Sequence, residues 1–338
     1  MLLTQANRLD LTKEQAKTLK ELCRLSKNLF NVGLYTVRQY FLNERKHLRY
    51  ESVYYHCKTN ENYKLLATDI RINEIRVYPR FDARLFDVAD IYESADEQIQ
   101  DAHKVMEINL GVNNLAACIS SAGTGFVIDG KRLKAVNQWY NKRAAKLQFH
   151  KDKQGIKGIT HQQARITDKR NHFVQDYLNK AARYIINHCL SHGIGKVVVV
   201  GFNPGMKQEI NLKSRNNQNF VQVPIAVLRL KIQSLCERKG IVLVEQEQSY
   251  TSKSSFVDSD PLPVWNTDNP VEFQVSGKRV KRGLYRTKDG HLINADMNGA
   301  ANILRKYFSS TLNELILKEN KSCLSQPVRV YLLTNSRL

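Results

Sequence analysis

Residues 105–307 predict an α/β domain, preceded by a smaller α+β region. Three observations carry that expectation. Apolar strands follow one another closely at Val105–Leu110, Ala116–Ser120 and Gly125–Asp129; two long basic helical stretches come next, roughly 131–150 and 160–192; and two further strands, VVVVG (197–201) and IVLVEQEQ (241–248), flank an amphipathic helix over 223–239. Such alternation requires helices stacked on a sheet. The run VVVVG, apolar on both faces and ended by glycine, suits a buried central strand.

The elements before residue 105 have a different character. Residues 10–48 read as helical: Asp10 and Thr12 are N-cap candidates, and Leu19, Leu22, Cys23, Leu25, Leu29 and Phe30 recur at helical spacing. A second helical piece carries Leu34, Val37 and Tyr40 among Arg38, Arg45, Lys46 and Arg49. Residues 70–93 switch to strand alternation, with a turn around Phe81–Ala83. The C-terminal part holds a Pro-punctuated loop (Pro261, Pro263, Pro270), a basic hairpin over 276–293 and a helix starting near Ala295. The expected domains are 1–104, 105–307 and a tail, 308–338, that carries little signal.

Composition narrows the partners. A formal net charge of +20 and a sequence pI near 9.7 point to a polyanion, because every neutralised phosphate releases condensed counterions. Six cysteines stand far apart with no C-x-x-C pair, which argues against a zinc ribbon or disulfide scaffold and for a reducing compartment. No signal-peptide pattern leads the chain and no apolar run could span a bilayer, so the expectation is a cytoplasmic protein with no membrane partner.

Three strands in sequence, a helix, then strand, helix and strand is the element order of an RNase H-like fold. Such nucleases collect metal-binding carboxylates from the first strand, a later strand and a C-terminal helix. Asn109, the region of Gly201 or Gln248, and Asp296 fall at those three stations. An amide is nearly isosteric with a carboxylate but uncharged, so a hard dication gains far less from it. Two Mg²⁺ ions roughly 4 Å apart need several carboxylates around them, and Asp296 alone is inadequate. Glu107 and Glu247 are the nearest other acids; strand alternation puts Glu247 on the face opposite Gln248 and Glu107 one pleat away from Asn109.

Several blocks carry a resemblance: INLGVNNLAACISSAGTGFVIDGKRLKAVNQWYNKRAAKLQ, NNQNFVQVP, SYTSKSSFVDSDPLPV, GKRVKRGLYR and INADMNGAANILRK. Together they resemble the TnpB (OrfB) family of bacterial insertion sequences, over nearly everything from about residue 74 to 306. The resemblance implies an RNA-guided nuclease: a RuvC domain, RNase H-like, behind a helical recognition segment and a wedge-like β-barrel. A guide RNA would pair with double-stranded DNA beside a short adjacent motif, in the bacterial nucleoid, and carboxylate-bound Mg²⁺ would cut. This chain departs from the family in carrying Asn109 for the first catalytic Asp, Gly201 for the usual Glu, and Gln248 for the relocated Glu of the subfamily with SYTS and GKRVKRGLYR blocks. Only Asp296 is retained. The subfamily lacks zinc-ribbon cysteines, so no zinc is expected, and the basic hairpin takes that region. A block before EIRVYP also looks shortened.

Two basic clusters are the expected nucleic-acid surface. Lys131, Arg132, Lys134, Lys142, Arg143 and Lys146 surround Asn137, Gln138 and Trp139, the mix that suits a backbone groove with stacking platforms, although Trp139 equally suits a helix core. Lys278, Arg279, Lys281, Arg282, Tyr285 and Arg286 lie on the hairpin, where shape and phosphates would be read. Asn217 and Gln218 belong to a polar run with a simple loop as its alternative reading. The sequence thus predicts a nuclease-dead, RNA-guided DNA binder like the TldR-type derivatives of TnpB, repressing transcription without cleavage and needing no cofactor beyond Mg²⁺ accompanying RNA. The alternatives are a Mg²⁺-dependent RNA-guided endonuclease and a decayed transposon protein.

Overall fold

A computed structural model describes residues 2–9, 11–46, 49–61, 75–81, 85–93, 103–200, 223–264, 273–308 and 322–332. Contacts divide the chain into two units: Met1–Ala95 with Gly155–Ala164, and Asp96–Gln154 with Arg165–Leu338.

In the first unit, β1 (Leu2–Leu9), β2 (Ile75–Arg80) and β3 (Leu85–Glu93) form an antiparallel sheet in the order β1-β3-β2. Arg80 and Asp87 pair across β2 and β3 at 2.9 Å, and Phe81 takes the left-handed turn conformation, φ 51°, that ends β2. Helix α1 (Lys13–Glu44) runs unbroken through both helical pieces read from the sequence. Thr12, not Asp10, is its cap: the Thr12 hydroxyl accepts from the Gln15 amide at 3.2 Å and the Gln15 side chain accepts from the Thr12 amide at 3.0 Å. Helix α2 (Tyr50–Lys58) follows. The shortened block before EIRVYP lies largely outside the described residues.

The second unit is built on a six-stranded sheet. Strands β4 (Val105–Leu110), β5 (Asn114–Ser120) and β6 (Gly125–Asp129) form an antiparallel meander. Helices α3 (Lys131–Lys153) and α4 (His161–Ser191) lead to β7 (Lys196–Val200), which pairs parallel with β4. Helix α5 (Ile225–Arg238) then leads to β8 (Val242–Gln246), parallel with β7. A three-strand meander continued by two parallel strands, with helices on the crossovers, is an RNase H-like α/β sheet. The tail contributes to it: β12 (Val328–Val330) pairs parallel with β6 and makes the far edge.

Strand alternation sends β4 side chains to two cores. Met106 and Ile108 pack with Leu133 and Val136 of α3, Phe173 to Cys189 of α4, and Leu228, Ile232 and Cys236 of α5. Val105 on the other face packs with Ala117, Ile119, Val198 and the C-terminal helix α6 (Ala295–Phe308). Before α6 the expected hairpin proves three-stranded, β9 (Lys278–Lys281), β10 (Leu284–Arg286) and β11 (Leu292–Asn294), in the order β11-β10-β9. A two-residue Arg282–Gly283 loop joins β9 to β10, and Gly283 supplies the positive φ, 82°, that such a tight turn needs. Among the described residues no helix is long and apolar enough to cross a membrane.

Candidate functional site

Helix α6 carries the retained acid, and its register on the sheet is set by polar side chains the sequence reading passed over. Asn298, Asn302 and Arg305 recur at helical spacing on one buried stripe. The Asn298 side chain accepts from the Phe256 amide at 2.9 Å and donates to the Ser254 carbonyl at 2.8 Å. Asn302 donates to the carbonyls of Thr251 and Ser254, and Arg305 donates to the Asp260 carbonyl. These bonds fix the SYTSKSSFVDSD block against α6. Its polar residues therefore serve packing: their backbone groups are satisfied by α6 in a water-free place.

At position 299, α6 comes close to β4. A Cβ built on Gly299 would stand 3.1 Å from the Asn109 amide nitrogen. Asn109 itself donates to the Asp296 backbone carbonyl at 3.4 Å. The fold thus brings together Asn109 and Asp296, as their stations predict, from positions 187 residues apart. Gln248 sits elsewhere, exposed in the turn after β8, where its carbonyl accepts from Thr251. Gly201 lies outside the described residues.

The Asp296 carboxylate is engaged at both oxygens. Asn114 donates to Oδ2 at 2.5 Å, and the Arg279 guanidinium lies 3.4 Å from Oδ1. Asn114 is in turn held by Arg329 of β12, which donates to its Oδ1 at 3.0 Å and pairs with Asp129 at 3.5 Å. Asn294 caps α6, accepting from the amides of Asp296 and Met297 at 3.0 and 3.1 Å. Asp129, one residue before the Gly130 cap of α3, accepts from the amides of Lys131 and Arg132 at 3.0 and 3.4 Å.

Asn109, Asn114, Lys131, Arg279, Asn294, Asp296 and Arg329 share a cleft of about 710 Å³ at the C-terminal end of β4. Its floor is Asn109 and the Gly111–Asn114 turn; its walls are Lys131, Asp296, Arg329 and, from the hairpin, Arg279, Arg282 and Gly283. The lining thus holds four cationic side chains and one carboxylate, of which Arg279 contacts the acid. Among the described residues the donor set does not fit a Mg²⁺ pair: Asn109 is an amide, and Asp296 already accepts from Asn114 and has the Arg279 guanidinium 3.4 Å away. Among the described residues no three acidic, His or Cys side chains are placed to hold a metal ion.

Neither nearby glutamate supplies the missing charge. Glu107, on Asn109's side of β4, is fully buried, with no hydrogen-bond partner for either oxygen among the described residues, and burial pushes its carboxyl well above the ordinary carboxylate range. Glu247 stands just past β8 and accepts from Lys306 at 2.6 Å. Burial alone would raise its pKa, but hydrogen bonds from Lys306 and Ser249 hold it below the usual value.

The expected nucleic-acid residues separate on burial. Lys131, Arg132, Gln138, Lys142, Arg143 and Lys146 on α3 are exposed, with Lys134 and Trp139 half-buried; on the hairpin Lys278, Arg279, Lys281, Arg282 and Arg286 are exposed. Two assignments are corrected. Tyr285 is 1% exposed and donates to the Lys253 carbonyl at 2.8 Å, and Asn137 is 4% exposed and accepts from Arg170 at 2.8 Å. Both hold the scaffold, because a buried polar group must find its partner inside the protein. Asn217 and Gln218 lie outside the described residues. Sequence reasoning misses Asn114 and Arg329, because no local signal around either points to the cleft.

Comparison with known proteins found similarities of three kinds. The family model OrfB_IS605, described as a probable transposase, matches residues 91–203. The TnpB-like protein ORF457 of Acidianus two-tailed virus is 24% identical over 222 residues, 63% of this chain and 44% of the viral protein, so the chain spans less than half of that relative. Among solved structures, a Cas12f1–sgRNA–target DNA complex superposes with a TM-score of 0.40 at 14% identity, over 90% of this chain and 98% of that one. A CRISPR-Cas12f ternary complex gives 0.42 at 19% identity, over 68% and 44%. Over residues 91–203 the chain is thus similar to the OrfB_IS605 family, and over 222 residues to a TnpB-like protein.

Proposed function

We propose that this protein is an RNA-guided DNA-binding protein that occupies a guide-matched site as an R-loop, represses transcription there and does not cut. The observation that carries the reading is the chemistry around Asp296: its carboxylate accepts from Asn114 and faces Arg279, and an amide, Asn109, stands at the partner station. Internal donors that neutralise the last acid remove the reason for a metal to bind. The family similarity and the net charge of +20 support nucleic acid as the partner. A guide RNA would supply sequence specificity by base pairing, leaving the protein to grip backbones and a short adjacent motif of double-stranded DNA in the nucleoid.

The test is the purified protein with its co-purifying RNA, given matched DNA and Mg²⁺ or Mn²⁺. The expected result is guide-dependent retention of intact DNA. Guide-dependent double-strand cutting would overturn the proposal.

A further inference from the structure

We infer that the cleft beside Asp296 is a metal-independent clamp for a phosphodiester group of a nucleic-acid strand, with Asp296 acting as an internal competitor for that anion. The inference rests on the nucleic-acid-binding role proposed above and assigns that role a specific site.

The composition of the cleft points to an anion. Lys131 of α3, Arg279 and Arg282 of the hairpin and Arg329 of β12 line one concave space, with Asp296 the single acid in its lining. Two helices, α3 and α6, begin at that space, and the peptide dipoles of a helix favour negative charge at its N-terminus. Asn109, Asn113 and Asn114 add amide groups that can donate to phosphate oxygens. Arginine presents a planar fork that can bind two oxygens of a phosphate as it can two of a carboxylate, so Arg279 and Arg282 can grip a tetrahedral anion.

The geometry also shows what the anion would displace. Arg279 lies 3.4 Å from Asp296, a loose contact for a guanidinium–carboxylate pair, and its side chain is 47% exposed. Asp296 is the more firmly held partner, through Asn114 at 2.5 Å. A phosphate entering the cleft can therefore draw Arg279 away from Asp296 while Asn114 keeps the carboxylate satisfied. Arg282 stands at the tip of the hairpin, and the Gly283 carbonyl accepts from the Ala295 amide at 3.1 Å, so the tip is fixed at the start of α6. No bond is made or broken in this binding step.

A charge reversal separates this clamp from a metal site. Where a metal binds the phosphate, Asp296→Asn removes a ligand and weakens binding; in the clamp it removes a repelling charge and strengthens it. The assay is fluorescence anisotropy of a labelled oligothymidylate with the full chain, in EDTA and in Mg²⁺ at matched ionic strength. Asp296→Asn is expected to tighten binding by about threefold to tenfold, as for removal of one partly screened charge. Arg282→Ala and Arg279→Ala are expected to weaken it by a similar factor, with Arg282→Lys recovering only part because a point charge lacks the fork. Circular dichroism of each variant establishes that it is folded.

Weaker or unchanged binding by folded Asp296→Asn, or binding that requires Mg²⁺, overturns the clamp. A second arm titrates inorganic phosphate against chloride at equal ionic strength. Displacement no greater than by chloride supports a strand phosphodiester, whereas displacement at micromolar phosphate assigns the cleft to the free ion and overturns the nucleic-acid assignment. Failure here is distinct from failure of the proposed function. DNA cleavage refutes that function without altering the Asp296→Asn result, and guide-directed binding left unchanged in all four variants refutes the clamp alone.

Discussion

Glu107 is the residue at which burial and stability are most openly in conflict. It is 0% exposed, flanked in register by Ile119 on β5 and Val198 on β7, and neither carboxylate oxygen has a hydrogen-bond partner among the described residues. Replacing it with Val, similar in volume and suited to a strand, removes an unsatisfied buried polar group costing about 1–3 kcal/mol. The pH dependence adds a second, larger component. Burial raises the folded-state pKa, so the folded protein keeps a proton that the unfolded chain releases near pH 4.3. Below that value both states are protonated and the folded protein has its full stability. Above it the unfolded state binds fewer protons, and stability falls by about 1.4 kcal/mol per pH unit until the folded-state pKa is reached. Urea denaturation of the full chain, followed by circular dichroism at several pH values from 4 upward (about one unit apart), measures both components. Glu107→Val is expected to be more stable than the parent by a margin that widens with pH. Glu107→Gln, which keeps the unpaired polar atoms and cannot ionise, is expected to match the parent in acid and lose the slope. A Val variant less stable than the parent, or a slope that persists in the Gln variant, refutes the reasoning.

Three further outcomes follow from the same geometry. Asn298→Ala strands the Phe256 amide and the Ser254 carbonyl beside α6 and is expected to cost about 2–4 kcal/mol in the same urea titration. Asp129→Ala removes the acceptor of the first α3 amides and a partner of Arg329, lowering stability by about 1–2 kcal/mol, with Asp129→Asn recovering most of the loss because an amide oxygen also accepts. Burial pushes the Cys189 and Cys236 thiols up to about 12 and raises Cys118 well above its ordinary value, so these three are expected to resist a thiol reagent at neutral pH until denaturant is added, as judged by labelling and mass spectrometry.

Much of the scaffold was legible because its signals are local. Val105–Leu110, Ala116–Ser120 and Gly125–Asp129 are apolar, short and separated by turns, and all three are strands of one meander. VVVVG lacks alternation because β7 is buried on both faces, between β4 and β8. Thr12 with Gln15 is a capping box readable in the sequence, and that pair prevailed over Asp10 because it satisfies donors in both directions. Tyr285 and Asn137 were misread because residue type does not report burial: an aromatic among cations suits a stacking platform and a core equally well.

The stations at Asn109 and Asp296 belong to the sequence alone, since residue identity and element order place an amide on the first strand and an acid on the C-terminal helix of an RNase H-like fold. That the acid is already occupied was decided only by tertiary structure. Asn114 comes from the strand after Asn109, Arg279 from the hairpin and Arg329 from the edge strand formed by the tail, and the three meet only when β12 pairs with β6 and the hairpin lies against α6. Electrostatic energy depends on distances between side chains, and pairs separated by 182 and 215 residues leave no periodic trace in a chain.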